Sequence, residues 1–442
     1  MNLKGYESYY VAANMEADRT TLLSIKSETP LDVYDYTSGQ ILPSSSKWSQ
    51  DGYETEFLAE LPSYGYCVFG TKARKPETGA IWKEGDSISS GNISVRAKGN
   101  IIEVNDHGRT YILSLDEFNI RFLGQIHGND TTGTENWRES ESYGPVRTSV
   151  REGIYPQLRI DRQPDWLVHL RQTVSIVNGR VVVDMDFDFP HPTLVRCAEA
   201  ARSHESTFDP RGLNLKISTF GKGIPSYDMP YGIATLDFDG TSHLCPLSTC
   251  IFQKETYGLM VSARSGEQGM TVNADEGDIT VYLGASTTSG PAKDLGIEYP
   301  TPTSTLHKTA WYAEPFHGKY HHTIILGTWE GDWSDAHTGA SIRNLATPVY
   351  LRKCTGNDAT HAEALPTSAS WIKLNTSAAT VTMADYTETD GFFIRLNECD
   401  GKGGIIHVEC ISESRDIKIS PFGTITVTQS LPENHIQDTR QR

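Results

Sequence analysis

The sequence contains no apolar run long enough to cross a membrane, and its start lacks the apolar stretch of a signal peptide. Basic residues are scarce relative to acidic ones: 39 Lys and Arg against 56 Asp and Glu give a formal net charge of −17 over 442 residues. A surface of this charge repels phosphate backbones and anionic lipid headgroups. We therefore expect a cytoplasmic protein that binds neither nucleic acid nor membranes.

Cysteine is also sparse, with seven residues and no C-x-x-C pair. An odd and scattered set does not form a disulfide framework, so we expect free thiols. Cys399 and Cys410 flank a glycine-rich hairpin, where geometry would decide whether they pair.

Helical periodicity is almost absent, whereas short runs of alternating polar and apolar residues, bracketed by Gly, Pro and Asn, recur along the chain. The clearest hairpin surrounds Asn178-Gly179, a dipeptide that favours a two-residue turn. The exception is residues 190–206, where Leu194, Val195 and Cys197 have helical spacing and predict a local helix. The pattern predicts an all-β protein.

Turn-rich and charged connectors divide this pattern into three predicted domains. We expect a small N-terminal β-sandwich over residues 1–76 and a large central antiparallel supersandwich over residues 77–352. A C-terminal β-sandwich follows over residues 353–442. The central domain is within the size range of a single β domain.

Two groups of side chains invite a test for metal binding. Asp184, Asp186 and Asp188 share one strand face, but strand geometry spaces them about 6–7 Å apart, so we expect an exposed acidic face. In a strand, His321 and its neighbour His322 point to opposite faces. Too few ligands then remain for a tetrahedral zinc site, and we expect structural histidines and no metal ligand in this chain.

A long polar loop offers the candidate substrate-binding residues Asn129, Asp130 and Trp137. Polar loops between strands often carry binding residues because a rigid scaffold holds them at the surface. The alternative is a simple solvated connection.

Three separated segments resemble a known family in the same order. They are Pro225–Gly269, with its Pro-Tyr-Gly turn and a strand reading YGLMV; the segment that ends in Gly331-Asp332-Trp333; and Phe393–Glu398, reading FIRLNE. They resemble the "dvPfG … dy.Gl.vl", "GdW" and "iiRlyE" segments in the C-terminal β region of glycoside hydrolase family 38, the retaining α-mannosidases. One departure is Thr328-Trp329, which stands where the family has Pro-His.

The resemblance implies a galactose mutarotase-like central domain and an α-mannoside-like carbohydrate partner. In the family, a carboxylate nucleophile, an acid/base carboxylate and a zinc ion belong to an N-terminal domain with a His-x-Asp start. This sequence has no His-x-Asp. We therefore expect the C-terminal β half of such an enzyme, with no catalytic residue and no cofactor of its own. The zinc would lie in a separate catalytic chain or domain.

Two alternatives stay open. A stand-alone carbohydrate-binding sandwich would use an exposed tryptophan such as Trp137, Trp329 or Trp333 for stacking. A mutarotase-like enzyme would need a histidine and a carboxylate that converge in a groove of the sheet. His169 is the candidate histidine, and the sequence does not identify its carboxylate partner.

Overall fold

The computed structural model describes most of the chain as short antiparallel strands. The described residues are 6–49, 52–75, 82–115, 120–122, 146–165, 168–195, 213–229, 232–235, 243–245, 249–263, 270–284, 288–289, 312–313, 316–336, 338–347, 349–354, 366–376, 378–387, 391–410 and 413–429. The all-β prediction is confirmed. Within the described ranges, no helix is both long and apolar enough to cross a membrane.

The strands and the helix have the following bounds. The chain begins with β1 Ser8–Asn14, β2 Arg19–Ser27, β3 Leu31–Asp35, β4 Gln40–Leu42, β5 Ser44–Ser49, β6 Gly52–Leu61 and β7 Gly65–Ala73. It continues with β8 Lys83–Glu84, β9 Ser87–Ser90, β10 Ile93–Lys98, β11 Ile101–Asp106, β12 Arg109–Ser114, β13 Ile120–Phe122, β14 Val146–Arg151, β15 Gln157–Asp165, β16 Val168–Val177, β17 Arg180–Val195, β18 Leu213–Ser218, β19 Ile224–Met229, β20 Gly232–Thr235, β21 His243–Cys245, β22 Thr249–Gln253, β23 Tyr257–Ala263, β24 Met270–Asn273, β25 Asp278–Gly284, β26 Thr288–Ser289, β27 Tyr312–Ala313 and β28 Phe316–Glu330. After the helix α1 Thr338–Ala346 come β29 Tyr350–Lys353, β30 Ser368–Ser370, β31 Ile372–Leu374, β32 Ala379–Thr387, β33 Gly391–Glu398, β34 Gly404–Cys410, β35 Glu413–Ile419 and β36 Thr424–Gln429.

Internal contacts divide the chain into two compact units. Unit 1 comprises Met1–Ile81, Asp228–Ala234 and Trp329–Arg442, and unit 2 comprises Trp82–Tyr227 and Thr235–Thr328. The division into three domains over 1–76, 77–352 and 353–442 stays a prediction.

Unit 2 is built on two antiparallel sheets. In the larger sheet, the strands from β19 onwards follow the order β19-β22-β23-β28-β17-β16-β15-β14-β8, and β13 also pairs with β17. The other sheet has the order β21-β24-β25-β18-β12-β11-β10-β9. One buried cluster contains apolar side chains of both sheets, among them Val104 and Ile217 from the second and Val174, Val183 and Ile324 from the larger. Each such side chain contributes about 1.5–3 kcal/mol by leaving water.

The segment that carries the first resemblance supplies neighbouring strands of the larger sheet. Its YGLMV run lies in β23, which pairs with β22, and β22 pairs in turn with β19. Leu259 and Val261 are buried, as alternation along a strand with one covered face requires.

The hairpin of β16 and β17 forms as its sequence predicts. Asn178 and Gly179 have φ values of 51° and 70°, the left-handed pair that a tight two-residue hairpin turn needs. Nine of the ten residues of β16 pair in register with β17, from His169↔Asp188 to Val177↔Arg180.

The helix predicted over residues 190–206 is wrong for its first part, because β17 continues as a strand through Leu194 and Val195. Residues 193–195 pair with β13, and Thr193 also pairs with Phe316 of β28. Pairing on both sides overrides a weak helical spacing. Cys197 and the rest of the predicted helix lie outside the described residues.

The described residues of unit 1 form two buried clusters. The first lies among β1, β2, β3, β6 and β7 and includes Phe57 and Phe69, whose rings meet edge to face at 5.2 Å. The second lies among β31 to β36 and includes Ile394 and Val408. Cys399 and Cys410 are separate thiols, not joined to each other.

Candidate functional site

A recess of unit 2 with many ionisable side chains lies on the larger sheet. We call it the outer groove: it has a volume of about 540 Å³ and spans β14, β15, β16, β17 and β28. Its charged and titratable lining residues are Arg147, Asp161, Arg162, His169, Arg171, Asp186, Asp188, Lys319 and His321.

Strand alternation explains why these side chains share a face. Along β16, Val168 and Leu170 are buried in the cluster between the sheets, whereas His169 and Arg171, which alternate with them, are exposed. We call the exposed side the outer face. The register of the neighbouring strands then aligns their outward residues with those of β16.

One row of directly opposed residues crosses five strands. Arg147 of β14 faces Asp161, Asp161 faces Arg171, Arg171 faces Asp186, and Asp186 faces His321 of β28. Basic and acidic side chains therefore alternate across the sheet. Opposite charges at opposed positions favour this register, and like charges there would oppose it.

Two contacts in this row are short. The Arg171 Nε donates to Asp161 Oδ1 at 2.7 Å, and the His321 Nδ1 is 2.8 Å from Asp186 Oδ1. Charge-assisted hydrogen bonds of this length fix the direction of both partners. The row therefore presents ordered carboxylate and guanidinium groups.

The second ring nitrogen of His321 has its own neighbours. His321 Nε2 is 3.1 Å from Thr323 Oγ1, whose hydroxyl donates to Asp184 Oδ1 at 2.6 Å. Both ring nitrogens then donate when the imidazole carries two protons, and Asp184 and Asp186 balance that charge. The acidic face predicted for β17 is confirmed as a shared face, and it has basic neighbours on β28.

A second row supplies the partner that the sequence could not give for His169. His169 of β16 faces Asp188 of β17, and Asp188 faces Lys319 of β28. The histidine and the carboxylate are outward neighbours on adjacent strands at one end of the outer groove.

A buried arginine lies beneath the groove. Arg162 is only 2% exposed, and its Nε donates to Gln172 Oε1 at 2.8 Å while Nη1 donates to the Gly99 carbonyl at 2.8 Å. Hydrogen bonds of this kind offset the cost of burying a charge. Because Gly99 follows β10 of the second sheet, Arg162 also links the two sheets.

His322 lies on the inner face, as alternation predicts. It is 7% exposed, and its ring contacts Phe187 edge to face at 5.9 Å. Burial, together with the charge of the neighbouring His321, lowers the pKa of His322 to about 4. His317 is exposed at the start of β28. Among the described residues, no group of three or more His, Cys, Asp or Glu side chains could hold a metal ion.

The candidate substrate-binding residues Asn129, Asp130 and Trp137 lie outside the described residues and stay predictions. Trp329 and Trp333 are half-buried. Trp48, which the sequence interpretation did not select, is 69% exposed.

The sequence interpretation also missed Arg171 and Asp161 as members of the groove. For Arg171 a signal was present: a two-residue turn at Asn178-Gly179 opposes residues that are equidistant from it, which pairs Arg171 with Asp186 and His169 with Asp188. No comparable local signal fixes the partners on β14, β15 and β28.

Comparison with known proteins gives a likeness of fold. Neither protein-family models nor curated protein sequences match the chain. Among solved structures, a glycosyl hydrolase family 38 protein from Enterococcus faecalis aligns with a TM-score of 0.60 and 10% identity, over 96% of this chain and 58% of that chain. An α-mannosidase from Enterococcus faecalis V583 aligns with a TM-score of 0.58 and 11% identity, over 96% of this chain and 56% of that chain.

The chain thus spans less than two thirds of either solved protein. The low identities limit the comparison to architecture. Over nearly its whole length, this chain has a fold similar to part of these family 38 structures.

Proposed function

We propose that this chain is the β portion of an α-mannosidase-like glycoside hydrolase and supports the hydrolysis of α-mannosides. The carrying observation is that 96% of the chain aligns with two solved structures, one described as a family 38 glycosyl hydrolase and the other as an α-mannosidase. The colinear sequence segments support the same assignment. The YGLMV run lies in β23, Gly331-Asp332-Trp333 directly follows β28, and FIRLNE lies in β33.

The reacting groups would belong to a catalytic domain other than the two β units. Retaining glycoside hydrolysis requires two carboxyl groups about 5–5.5 Å apart that flank the scissile bond, and in this family a zinc ion holds the sugar. Within the described ranges the side chains do not fit a zinc site. We therefore derive no step through zinc, and we assign to this chain the support and shaping of the sugar site.

The test is hydrolysis of an aryl α-mannoside by the purified chain, with zinc present and again after chelation. We expect no turnover in either condition. A tagged chain recovered from its own cells should retain a zinc-dependent α-mannosidase activity, and that activity should be absent from an untagged control. Chelator-sensitive turnover by the purified chain alone would contradict the proposal.

A mutarotase-like enzyme remains the second candidate because of one observation, the opposition of His169 and Asp188 in the outer groove. An imidazole and a carboxylate side by side can exchange protons with a sugar hydroxyl and a ring oxygen. Polarimetry of freshly dissolved α-mannose or α-glucose tests this candidate. Acceleration of anomer exchange that is lost in His169→Ala would favour it over the first.

A further inference from the structure

We propose that the outer groove binds a neutral saccharide, with Arg171 and Asp186 as its central contacts. The proposal deepens the proposed function, on which it rests for the expectation that a mannoside is among the sugars bound.

The charge of the groove selects for a neutral ligand. Among the lining residues that face outwards, the fixed cations Arg147, Arg171 and Lys319 are matched by three carboxylates, Asp161, Asp186 and Asp188. The fourth cation of the lining, Arg162, is buried and hydrogen-bonded beneath the groove. The chain as a whole has a formal charge of −17, so this balance is a local feature. A ligand with a net charge would be attracted by half of these groups and repelled by the other half.

The chemistry of the lining matches vicinal hydroxyl groups. A hydroxyl both donates and accepts, and neighbouring hydroxyls on a sugar ring present these functions side by side. Along the row, the guanidinium groups of Arg147 and Arg171 alternate with the carboxylates of Asp161 and Asp186, and the imidazole of His321 ends the row. Each presents two coplanar oxygen or nitrogen atoms, so one sugar ring can donate to Asp186 while it accepts from Arg171.

The binding groups are held in place before a ligand arrives. Asp161 accepts from Arg171 at 2.7 Å, and Asp186 is 2.8 Å from His321 Nδ1. Ordered partners reduce the entropy lost on binding. Both pairs are also about half exposed, with side-chain exposures of 49% and 39% for the first and 56% and 56% for the second. Polar atoms therefore remain accessible to a ligand.

The size of the groove is that of a site for a small molecule. Its volume of about 540 Å³ lies within the roughly 300–1,000 Å³ of such sites. His169, Asp188 and Lys319 continue the polar lining beyond the central row. These three residues oppose one another on β16, β17 and β28, and they offer polar contacts for a second sugar unit.

The test is a titration of the full chain with sugars, in which binding is measured by calorimetry and by saturation-transfer NMR. The probes are methyl α-mannoside and methyl β-glucoside, which cannot change anomer, and mannose 6-phosphate as a charged comparison. The variants are Arg171→Gln and His169→Ala. The matched control is Arg96→Gln, because Arg96 of β10 forms a similarly exposed ion pair, at 3.1 Å, with Asp86, the residue before β9.

We expect saturable binding of a neutral glycoside that falls about tenfold or more in Arg171→Gln, the factor for one lost charge-assisted hydrogen bond. His169→Ala should weaken it as well, and Arg96→Gln should leave it unchanged. Because His169 is exposed, His169→Ala retains the fold and keeps the test valid if Arg171→Gln unfolds.

Three results would overturn the proposal: no saturation by either neutral glycoside up to about 10 mM, a range that covers weak sites; undiminished binding by both groove variants; or binding of the charged sugar alone. Binding of the glucoside without the mannoside would retain the groove and argue against the proposed function. If the purified chain binds the neutral glycosides in the groove and also shows chelator-sensitive hydrolysis, the groove is retained and the proposed function is contradicted.

Discussion

Asp186 of β17 and His321 of β28 face each other directly, with Oδ1 and Nδ1 2.8 Å apart, although 135 positions separate them in the chain. This pair joins the acidic face of the β16-β17 hairpin to the basic residues of β28. With this pair, the polar row extends beyond the β16-β17 hairpin to β28 and crosses five strands in total.

Removal of this pair should change binding much more than stability. Both side chains are 56% exposed, and pairs of this exposure contribute about 0–1 kcal/mol to folding. We expect Asp186→Asn to shift the free energy of urea unfolding by less than about 1 kcal/mol, while its affinity for methyl α-mannoside falls. A loss of about 3 kcal/mol, the scale of a buried pair, would instead identify the row as structural.

The buried His322 should make stability depend on pH. Its folded pKa of about 4 lies below the unfolded value of 6.5, so the unfolded state binds the proton first as the pH falls. The associated stability is fully present above about pH 6.5 and is lost as the pH falls towards 4. The difference corresponds to about 3 kcal/mol.

Urea unfolding at a series of pH values checks this prediction. His322→Gln should flatten the dependence between pH 6.5 and 4, whereas the exposed-site variant His169→Gln should retain it. An unchanged slope in His322→Gln would show that other groups cause the acid sensitivity.

Glu398 should stabilise the turn that connects β33 to β34, two consecutive strands that belong to different sheets. It is 1% exposed, and its carboxylate accepts from the backbone N–H groups of Asp400, Gly401, Lys402 and Phe422 at 2.7–3.2 Å. Glu398→Gln replaces one acceptor oxygen with a donor amide, so we expect a loss of about 2–3 kcal/mol.

Chemical unfolding compares this variant with Glu409→Gln. Glu409 is 55% exposed and lies 3.9 Å from Lys373, so its substitution should change stability little. Equal effects of the two substitutions would contradict the structural role of Glu398.

Gly65 should not accept a larger side chain. A Cβ at this position would lie 2.0 Å from the carbonyl oxygen of Ala369, a backbone atom on the paired strand β30. We expect Gly65→Ala to cost about 1–3 kcal/mol or to displace β30 from β7. A Cβ at Gly327 would lie 3.6 Å from its nearest neighbour, a side-chain carbon of Arg180. Gly327→Ala is therefore the control and should be tolerated by comparison. Thermal unfolding of the two variants distinguishes them.

Local patterns were sufficient to predict the strands and several details of the site. Alternation predicted that His321 and His322 take opposite faces, and the Asn178-Gly179 turn predicted the β16-β17 hairpin. The FIRLNE segment that resembles the family ends in Glu398, whose backbone contacts lie almost entirely within the next four residues.

Long-range pairing explains what sequence reasoning could not predict. Arg147 and His321 enter the same row only because β14 and β28 join one sheet, and no local signal specifies those neighbours. The same kind of pairing, with β13 and β28, extends β17 through Leu194 and Val195, where spacing had suggested a helix. The alternation of polar and apolar residues along a strand does not specify which other strands it pairs with.

The most direct test of the central claim, that the outer face of this β region binds α-mannosides, is a crystal structure of the chain soaked with methyl α-mannoside. We predict difference density for the sugar between Arg171 and Asp186, with hydrogen bonds to both. Sugar density elsewhere on unit 2, with this groove empty, would contradict the account.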